Sequence, residues 1–285
     1  MGLRASFPGM WRLLLAAVVG IALFAPAPGT SGGPRGPVLA FTRAGDVHTI
    51  RADGTGARLL LRRAYSPAWS PDGSKLAFVS GRSGDEEIYV ANADGGGVRR
   101  LTRSAGPDLT PAWSSDGRQL AWSRRGEIWR MSASGANQRR LVRKAKVWHE
   151  HHSPTWHGRT IVYSSNRAGF FNPELYAVPA KRLTFTKGSD GILGDDGMPD
   201  FSPDGRRIVF TSNRDQNGEV YVMNANGSGQ RRLTRRRGDD FLPRFSPDGA
   251  QIAFVALPGT VYVMNADGTA LRRLTGGTDV DWRSS

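Results

Sequence analysis

The chain has 285 residues, of which 39% are apolar and 22% are charged, and its formal net charge is +14. The composition is typical of a globular protein built from short strands and tight turns, since 36 glycines and 17 prolines accompany the apolar residues. The sequence contains no cysteine, which excludes a disulfide framework, a thiolate metal site and a thiol nucleophile.

The N-terminus has the features of an export signal. Arg4 and Arg12 are followed by an apolar run over residues 13–24, and a small-residue cleavage motif ends at Ala27. The run is shorter than the roughly twenty residues that an ordinary spanning helix needs. We therefore predict a signal peptide and linker over residues 1–33 and an extracytoplasmic location, periplasmic or secreted, with an uncleaved N-terminal membrane anchor as the alternative.

One sequence unit recurs through the rest of the chain with a period of about 44 residues, which indicates a solenoid, a propeller or an array. Its fullest copy begins with Pro-Ala-Trp-Ser-Pro-Asp-Gly at residues 67–73 and continues through two apolar segments to a basic pair before Leu101. The aromatic position of the unit is filled in turn by Trp69, Trp113, Trp156, Phe201, Phe245 and Trp282.

Each unit contains four predicted strands. The first ends at the aromatic residue, and an Asp-Gly turn such as Asp72-Gly73 leads to the second. A second Gly turn such as Asp94-Gly95 separates the third strand from the fourth. The second and third strands are apolar on both faces, which is typical of sheets packed on each side by neighbouring sheets. The sequence therefore predicts an all-β fold with four-stranded blades.

The two ends of the repeat region complete each other. The first unit begins at Val38 without an opening strand, and residues 278–284 form an opening strand with nothing after it. Joining the two fragments leaves no open sheet edge between the termini. We predict a six-bladed β-propeller over residues 37–285, with the ring closed by the C-terminal strand completing the N-terminal blade.

The Pro-x-Trp-Ser-Pro-Asp-Gly motif and the strands that follow it resemble the TolB-type propeller repeat, a WD-like repeat. The resemblance extends from about Pro37 to the C-terminus. It implies a six-bladed propeller with an extracytoplasmic and mostly protein-binding role. TolB proteins carry an α/β domain before the propeller, whereas the first blade is expected here directly after the linker, so the resemblance is to the propeller only.

The predicted strand order places both Gly turns of each blade on one face, and places the loops between strands two and three and the crossovers between blades on the other. Binding residues concentrate on such loops. We predict a site near the mouth of the central channel, either for a cation or for a basic partner segment; the alternative is ordinary turn chemistry at strand starts. The candidates are Asp108, His149, His151, His152, Asp195, Asp196, Asp239, Asp240 and Asp279.

The fourth unit departs most from the repeat. Its Trp-His-Glu-His-His segment at residues 148–152 does not have the histidine spacing of the zincin motif. In an extended strand His149 and His151 share a side, and with a neighbouring aspartate they could hold a metal or simply form a polar rim. A long loop carries Phe170 and Phe171, which suit a contact patch if exposed and a core position if folded inward.

Basic pairs recur on the predicted outer strands. Because charged outer strands discourage edge-to-edge aggregation, we interpret the pairs as a solvated rim rather than as a nucleic-acid-binding stripe, with a weak attraction to anionic surfaces. The pairs are Arg99-Arg100, Arg139-Arg140, Lys181-Arg182, Arg231-Arg232 and Arg272-Arg273.

Two functional hypotheses follow. The first is a monomeric, non-catalytic scaffold that binds a protein or a cell-envelope component at the channel-mouth face, without a cofactor. The alternative is a metal-dependent lyase or hydrolase that acts on an extracellular or envelope polymer and uses His149 and His151. The sequence assigns no catalytic residue and no metal ligand.

Overall fold

The computed structural model describes residues 37–169, 172–186 and 195–284, and all regular structure within these ranges is β. Twenty-four strands form six four-stranded antiparallel sheets, which confirms the predicted six-bladed β-propeller. Within the same ranges no helix is long and apolar enough to cross a membrane. The predicted signal peptide and linker lie outside the described residues.

Consecutive strands of each blade pair with one another, and the blades are numbered here in chain order. Blade 1 contains β1 (Val38–Arg43), β2 (Asp46–Arg51), β3 (Arg58–Leu61) and the C-terminal β24 (Thr278–Arg283). Blade 2 contains β4 (Tyr65–Trp69), β5 (Lys75–Ser83), β6 (Asp85–Asn92) and β7 (Arg99–Arg100). Blade 3 contains β8 (Asp108–Trp113), β9 (Gln119–Arg124), β10 (Glu127–Ser132) and β11 (Arg139–Val142).

The remaining blades follow the same order from the inner to the outer strand. Blade 4 contains β12 (His151–His157), β13 (Thr160–Ser165), β14 (Glu174–Ala177) and β15 (Lys181–Arg182). Blade 5 contains β16 (Asp196–Phe201), β17 (Arg207–Ser212), β18 (Glu219–Asn224) and β19 (Arg231–Arg232). Blade 6 contains β20 (Asp240–Phe245), β21 (Gln251–Ala256), β22 (Thr260–Asn265) and β23 (Arg272–Gly276).

The ring closes as predicted, because β24 pairs with β1 as the inner strand of blade 1. Leu39 lies opposite Trp282 in this pairing. Trp282 is 4% exposed and packs in one core cluster with residues of β1 and of blade 6, including Val255 and Val263. The C-terminal strand therefore joins the first and last blades into one continuous core.

The second strand of a blade is apolar on both faces because each face meets a different neighbour. In blade 2, Leu76 and Phe78 pack in a cluster with residues of blade 1 such as Val47. The alternating residues Ala77 and Val79 pack with residues of blade 3 in a separate cluster. Since successive side chains of a strand point to opposite faces, a strand between two blades needs apolar residues at every position.

The Asp-Gly turns are closed by their own side chains. The hydroxyl of Ser70 donates to Asp72 Oδ1 at 2.6 Å, and Asp72 also accepts the backbone N–H of Ser74 at 3.0 Å. These bonds, led by the one from Ser70, lower the pKa of Asp72, so the carboxylate is ionised at neutral pH. Gly73 follows at a φ of 64°, where a side chain is unfavourable. The same serine–aspartate pair occurs at Ser114–Asp116, Ser202–Asp204 and Ser246–Asp248.

The basic pairs of the outer strands are not simply a solvated rim. Arg100 donates to the fully buried Glu87 at 2.6 Å, and Glu87 also accepts the hydroxyl of Thr102 at 2.5 Å. The first member of the same pair, Arg99, donates to the carbonyl of Ser134 in the next blade at 2.7 Å. One residue of the pair therefore neutralises a buried charge, and the other connects neighbouring blades. Buried glutamates are paired in the same way at Glu174–Arg182 and Glu219–Arg232.

Candidate functional site

The two faces of the propeller differ in how their connections are made. The Gly-turn face consists of the short turns from strand one to two and from strand three to four. The opposite face, called the crossover-loop face here, consists of the loops between strands two and three and the crossovers from the outer strand of one blade to the inner strand of the next. The longer and less regular connections, such as residues 143–150 and 233–239, lie on the crossover-loop face.

Each of the six inner strands carries a bulge at the same place, where the pairing with the second strand shifts register. A non-glycine residue adopts a left-handed conformation at each bulge, and in five of the blades a proline follows it directly. Left-handed backbone is unfavourable for such residues by about 1–2 kcal/mol each, and strain of this kind concentrates at functional sites. The six residues are Ser66, Thr110, Ser153, Met198, Leu242 and Asp279, with φ between 43° and 55°.

These six residues line the central channel and form part of the wall of a cavity of about 130 Å³. Most of the wall is apolar, with prolines, leucines and a valine from the inner strands. His152, Arg244 and Asp279 are the ionisable groups among the polar lining residues, apart from the phenol of Tyr65. The hydroxyl of Ser153, which is 5% exposed, has no hydrogen-bond partner among the described residues. The cavity is therefore an apolar socket with a few polar groups around it.

Three charged residues occupy the position between the proline and the aromatic residue of the motif, where blades 2 and 3 have alanine. Asp200 accepts the backbone N–H of Phe245 at 2.9 Å, and Asp281 accepts that of Trp69 at 2.6 Å. Burial raises the pKa of Asp281 to about 7 and also raises that of Asp200, while the charge of Arg244 opposes both increases. These carboxylates connect the inner strands of adjacent blades.

Three of the predicted binding aspartates are already engaged in ion pairs inside their own blades. Asp108 is fully buried and accepts two hydrogen bonds of 2.7 Å from the guanidinium of Arg124. That guanidinium also lies over the rings of Trp122 and Trp129. Since the charge of Asp108 is neutralised and shielded from solvent, it contributes to the blade rather than to the channel cavity. The equivalent pairs are Asp196–Arg214 and Asp240–Arg236, both at 3.0 Å.

The histidines of blade 4 divide between the blade interior and the channel. His149 and His151 are 6% and 0% exposed, with ring centroids 6.3 Å apart, whereas His152 lines the cavity. His151 Nδ1 lies 2.7 Å from the hydroxyl of Ser165. Burial lowers the pKa of His151 to about 4 and also lowers that of His149, so both rings are neutral at pH 7. Over the described part of the chain, no group of three or more His, Asp or Glu residues could hold a metal ion.

Two of the remaining predicted residues, Asp239 and Asp195, directly precede the paired aspartates Asp240 and Asp196 in the sequence. Asp239 is half-buried and accepts the backbone N–H of Gly218 at 2.8 Å. Burial, and then the charge of Asp196, raise the pKa of Asp195 to about 7. Of the eleven predicted residues, His152 and Asp279 line the cavity. Phe170 and Phe171 lie outside the described residues.

Two strongly exposed apolar side chains lie on the crossover-loop face, and the repeat pattern of the sequence did not predict them. Val147, in the crossover from blade 3 to blade 4, is 94% exposed, and Phe185, in the crossover from blade 4 to blade 5, is 72% exposed. The guanidinium of Arg182 lies 4.5 Å from the centre of the Phe185 ring. Apolar residues this exposed on a scaffold loop are typical of contact surfaces.

Comparison with known proteins places these features in a family. A family model described as the TolB beta propeller domain matches residues 60–189 and 188–285. The protein TolB homolog of Chlorobium luteolum is 32% identical over 203 residues, which cover 69% of this chain and 44% of that protein. The Tol-Pal system protein TolB of Desulfosudis oleivorans is 34% identical over 165 residues, covering 57% of this chain and 27% of that protein.

Solved structures share the fold at lower identity. The crystal structure of TolB from Acinetobacter baumannii matches 88% of this chain and 67% of that chain, with a TM-score of 0.73 and 24% identity. The tricorn protease matches 88% of this chain and 26% of that chain, with a TM-score of 0.66 and 18% identity. The chain matches less than half the length of the two TolB relatives from Chlorobium luteolum and Desulfosudis oleivorans.

Proposed function

The chain belongs to the TolB beta propeller domain family, and from that premise we propose that it is an exported, non-catalytic scaffold that binds a protein of the cell envelope through its crossover-loop face. The name of a matching relative, Tol-Pal system protein TolB, supports a partner in the envelope. The signal-like N-terminus supports export to the periplasm or the cell surface. The proposal assigns residues 1–33 to targeting and residues 37–285 to the propeller, which acts as a monomer.

The contrast between the two faces carries this proposal. On the Gly-turn face, aspartates such as Asp72 already accept hydrogen bonds from residues of their own turns. On the crossover-loop face, Val147 and Phe185 are exposed in irregular crossovers, and the inner strands that the crossovers lead to line the cavity. A concave site together with exposed apolar side chains suits a protruding protein segment.

Affinity capture from the exporting cell tests the proposal. The test variant is Val147→Ser with Phe185→Ser. The control is Val98→Ser with Leu271→Ser, because these residues are 41% and 44% exposed but follow Gly turns at the opposite side of the blades. We expect one envelope protein to be retained by the wild type and the control and lost from the test variant. Equal retention by both variants would remove the crossover-loop face as the binding surface.

A metal-dependent lyase or hydrolase is the second candidate, and one observation favours it. Both ring nitrogens of His149 are buried without a hydrogen-bond partner among the described residues, and the His151 ring lies nearby. Unpartnered imidazole nitrogens are suited to a metal. Elemental analysis of protein purified without a histidine tag distinguishes the candidates: stoichiometric metal that disappears in His149→Ala supports the enzyme, and metal-free, folded protein argues against it.

A further inference from the structure

We propose that the partner presents a carboxylate-rich surface, and that unpaired arginines on the crossover-loop face recognise it. This inference rests on the proposed function and names the chemistry of its partner. The arginines lie in four of the six crossovers, those that follow blades 1, 2, 3 and 5. They are Arg62, Arg63, Arg103, Arg143, Arg235 and Arg237, and all six are exposed.

What distinguishes these arginines is that their side chains have no partner within the described residues. Arg236 stands between two of them in the sequence, yet it pairs with Asp240 at 3.0 Å and lies over the ring of Tyr262. Arg124 is likewise fixed by Asp108 and two tryptophans. The basic residues near this face therefore include two contrasting sets: Arg124 and Arg236 neutralise buried carboxylates, and the six arginines extend into solvent without a side-chain partner among the described residues.

Three carboxylates on the same face are bonded to groups other than the side chains of the second set. Asp46 accepts the backbone N–H of Arg63 at 2.7 Å, and Asp85 accepts that of Gly106 at 3.2 Å. Glu150 accepts the ammonium of Lys144 at 2.7 Å. None of these three bonds comes from the side chain of one of the six arginines, so the guanidinium charges remain available to attract an anionic partner and to speed encounter with it.

The geometry favours protein carboxylates over other anions. A guanidinium is a rigid fork that matches a carboxylate or a phosphate through two parallel hydrogen bonds, so the preference for a protein carboxylate comes from the groups around the arginines. The exposed Val147 and Phe185 on the same face suit an apolar contact inside a polar rim, as in protein interfaces. The cavity of about 130 Å³ in the middle of the ring suits a protruding side chain or loop rather than a flat bilayer.

A pair of charge-matched triple variants tests the inference, with poly-L-glutamate as the probe. The test variant is Arg103→Gln, Arg143→Gln and Arg235→Gln. The control is Arg118→Gln, Arg159→Gln and Arg206→Gln, three exposed arginines on the Gly-turn face. Both variants lose the same net charge, so a difference between them reports the face. We expect the test variant to bind poly-L-glutamate about tenfold more weakly than wild type, equivalent to about 1.4 kcal/mol, and the control to bind within about twofold of wild type.

Three outcomes would overturn the inference. Equal weakening of both variants would mean that only net charge matters. Tighter binding of wild type to polyphosphate or to phosphatidylglycerol vesicles than to poly-L-glutamate, with the same dependence on the test arginines, would assign the face to phosphate polymers or to lipid. Capture of a protein that depends on Val147 and Phe185 but not on the test arginines would leave the proposed function standing and remove this inference. Conversely, selective loss of poly-L-glutamate binding without any captured partner would contradict the proposed function alone.

Discussion

The backbone N–H of Trp69 donates to Asp281 Oδ2 at 2.6 Å, although the two residues are 212 positions apart in the chain. This bond joins the C-terminal strand of blade 1 to the inner strand of blade 2. On the other side, the indole of Trp282 donates to the carbonyl of Arg244 in blade 6 at 3.1 Å. The last strand therefore bridges three blades, so its removal should affect the whole ring.

We expect Trp282→Ala to lower the free energy of unfolding by about 3–5 kcal/mol, because a buried indole leaves a cavity between two blades. Deletion of residues 278–285 should destabilise more, since it also opens the edge of β1. Trp156→Ala is the control: Trp156 holds the same position in blade 4 but is less buried. Chemical denaturation measures all three, and equal losses for Trp282→Ala and Trp156→Ala would contradict this account of closure.

The buried glutamates provide a second prediction. Arg100→Ala leaves the carboxylate of Glu87 buried without its counter-ion, and removal of one partner of a buried pair destabilises by about 3 kcal/mol. Arg140→Ala removes the partner of Glu127, which pairs at 3.2 Å and is partly exposed; such a pair contributes only about 0–1 kcal/mol. Thermal unfolding of the two variants compares them directly. A smaller loss in Arg100→Ala than in Arg140→Ala would show that the outer-strand pair is a surface feature after all.

The ring could be predicted from the sequence because its determinants are local and repeated. Each Asp-Gly turn between the first and second strands closes on a serine two residues before the aspartate. The aromatic residue of each unit lies at the end of an inner strand or one residue before it, whether it is tryptophan or phenylalanine. Trp282 was predicted to hold the aromatic position of the last unit although it follows the preceding aromatic residue at a shorter spacing. The pairing of Trp282 opposite Leu39 confirms that prediction.

The site could not be predicted in the same way, because its contacts join residues that only the fold brings together. Asp108 was expected near the channel mouth, but Arg124 lies opposite it in the strand register and holds it in the blade. Aligning the repeats would have flagged Asp200, Arg244 and Asp281 as charges where other blades have alanine or threonine. The burial of the two aspartates and the increase in their pKa values, however, depend on the packing of three blades around the channel.

The neutral histidine in blade 4 predicts a loss of stability in acid. The pKa of His151 is about 4 in the folded protein and about 6.5 in the unfolded chain, so the unfolded chain takes up the proton first. Stability should therefore fall as the pH decreases from about 6.5 to about 4, by up to about 3 kcal/mol. His151→Gln should remove that part of the loss. Denaturation of both proteins between pH 4 and pH 7 measures the difference, and parallel curves would contradict the prediction.

The pH dependence of stability that Asp281 contributes has the opposite sign. Its pKa is about 7 in the folded protein and about 3.8 when unfolded, so the folded protein favours the protonated form and stability falls as the pH rises from about 4 to about 7. Asp281→Asn imitates the protonated form and keeps an oxygen to accept the N–H of Trp69. We expect the variant to exceed wild type in stability at pH 8, on the order of 2 kcal/mol, and to match it near pH 4. Lower stability at pH 8 would mean that the charge of Asp281 is needed by Arg244.

The strained residues of the channel wall predict a conflict between stability and binding. Ser66 has a φ of 47° and precedes Pro67, a conformation that glycine adopts without a steric penalty. Ser66→Gly should therefore stabilise the protein by about 0.5–1 kcal/mol, even after the greater freedom of glycine in the unfolded chain is subtracted. Ser66→Ala is the matched control, because it removes the hydroxyl but keeps the Cβ that causes the strain.

If the strain serves to hold the cavity mouth in a fixed shape, Ser66→Gly should bind the captured envelope partner more weakly while it unfolds at a higher temperature. Isothermal titration and thermal unfolding of the two variants measure both effects. Equal stability of Ser66→Gly and Ser66→Ala would show that the left-handed backbone stores no strain at this position. Stabilisation without any loss of affinity would mean that the six bulges do not contribute to binding and only bend the inner strands.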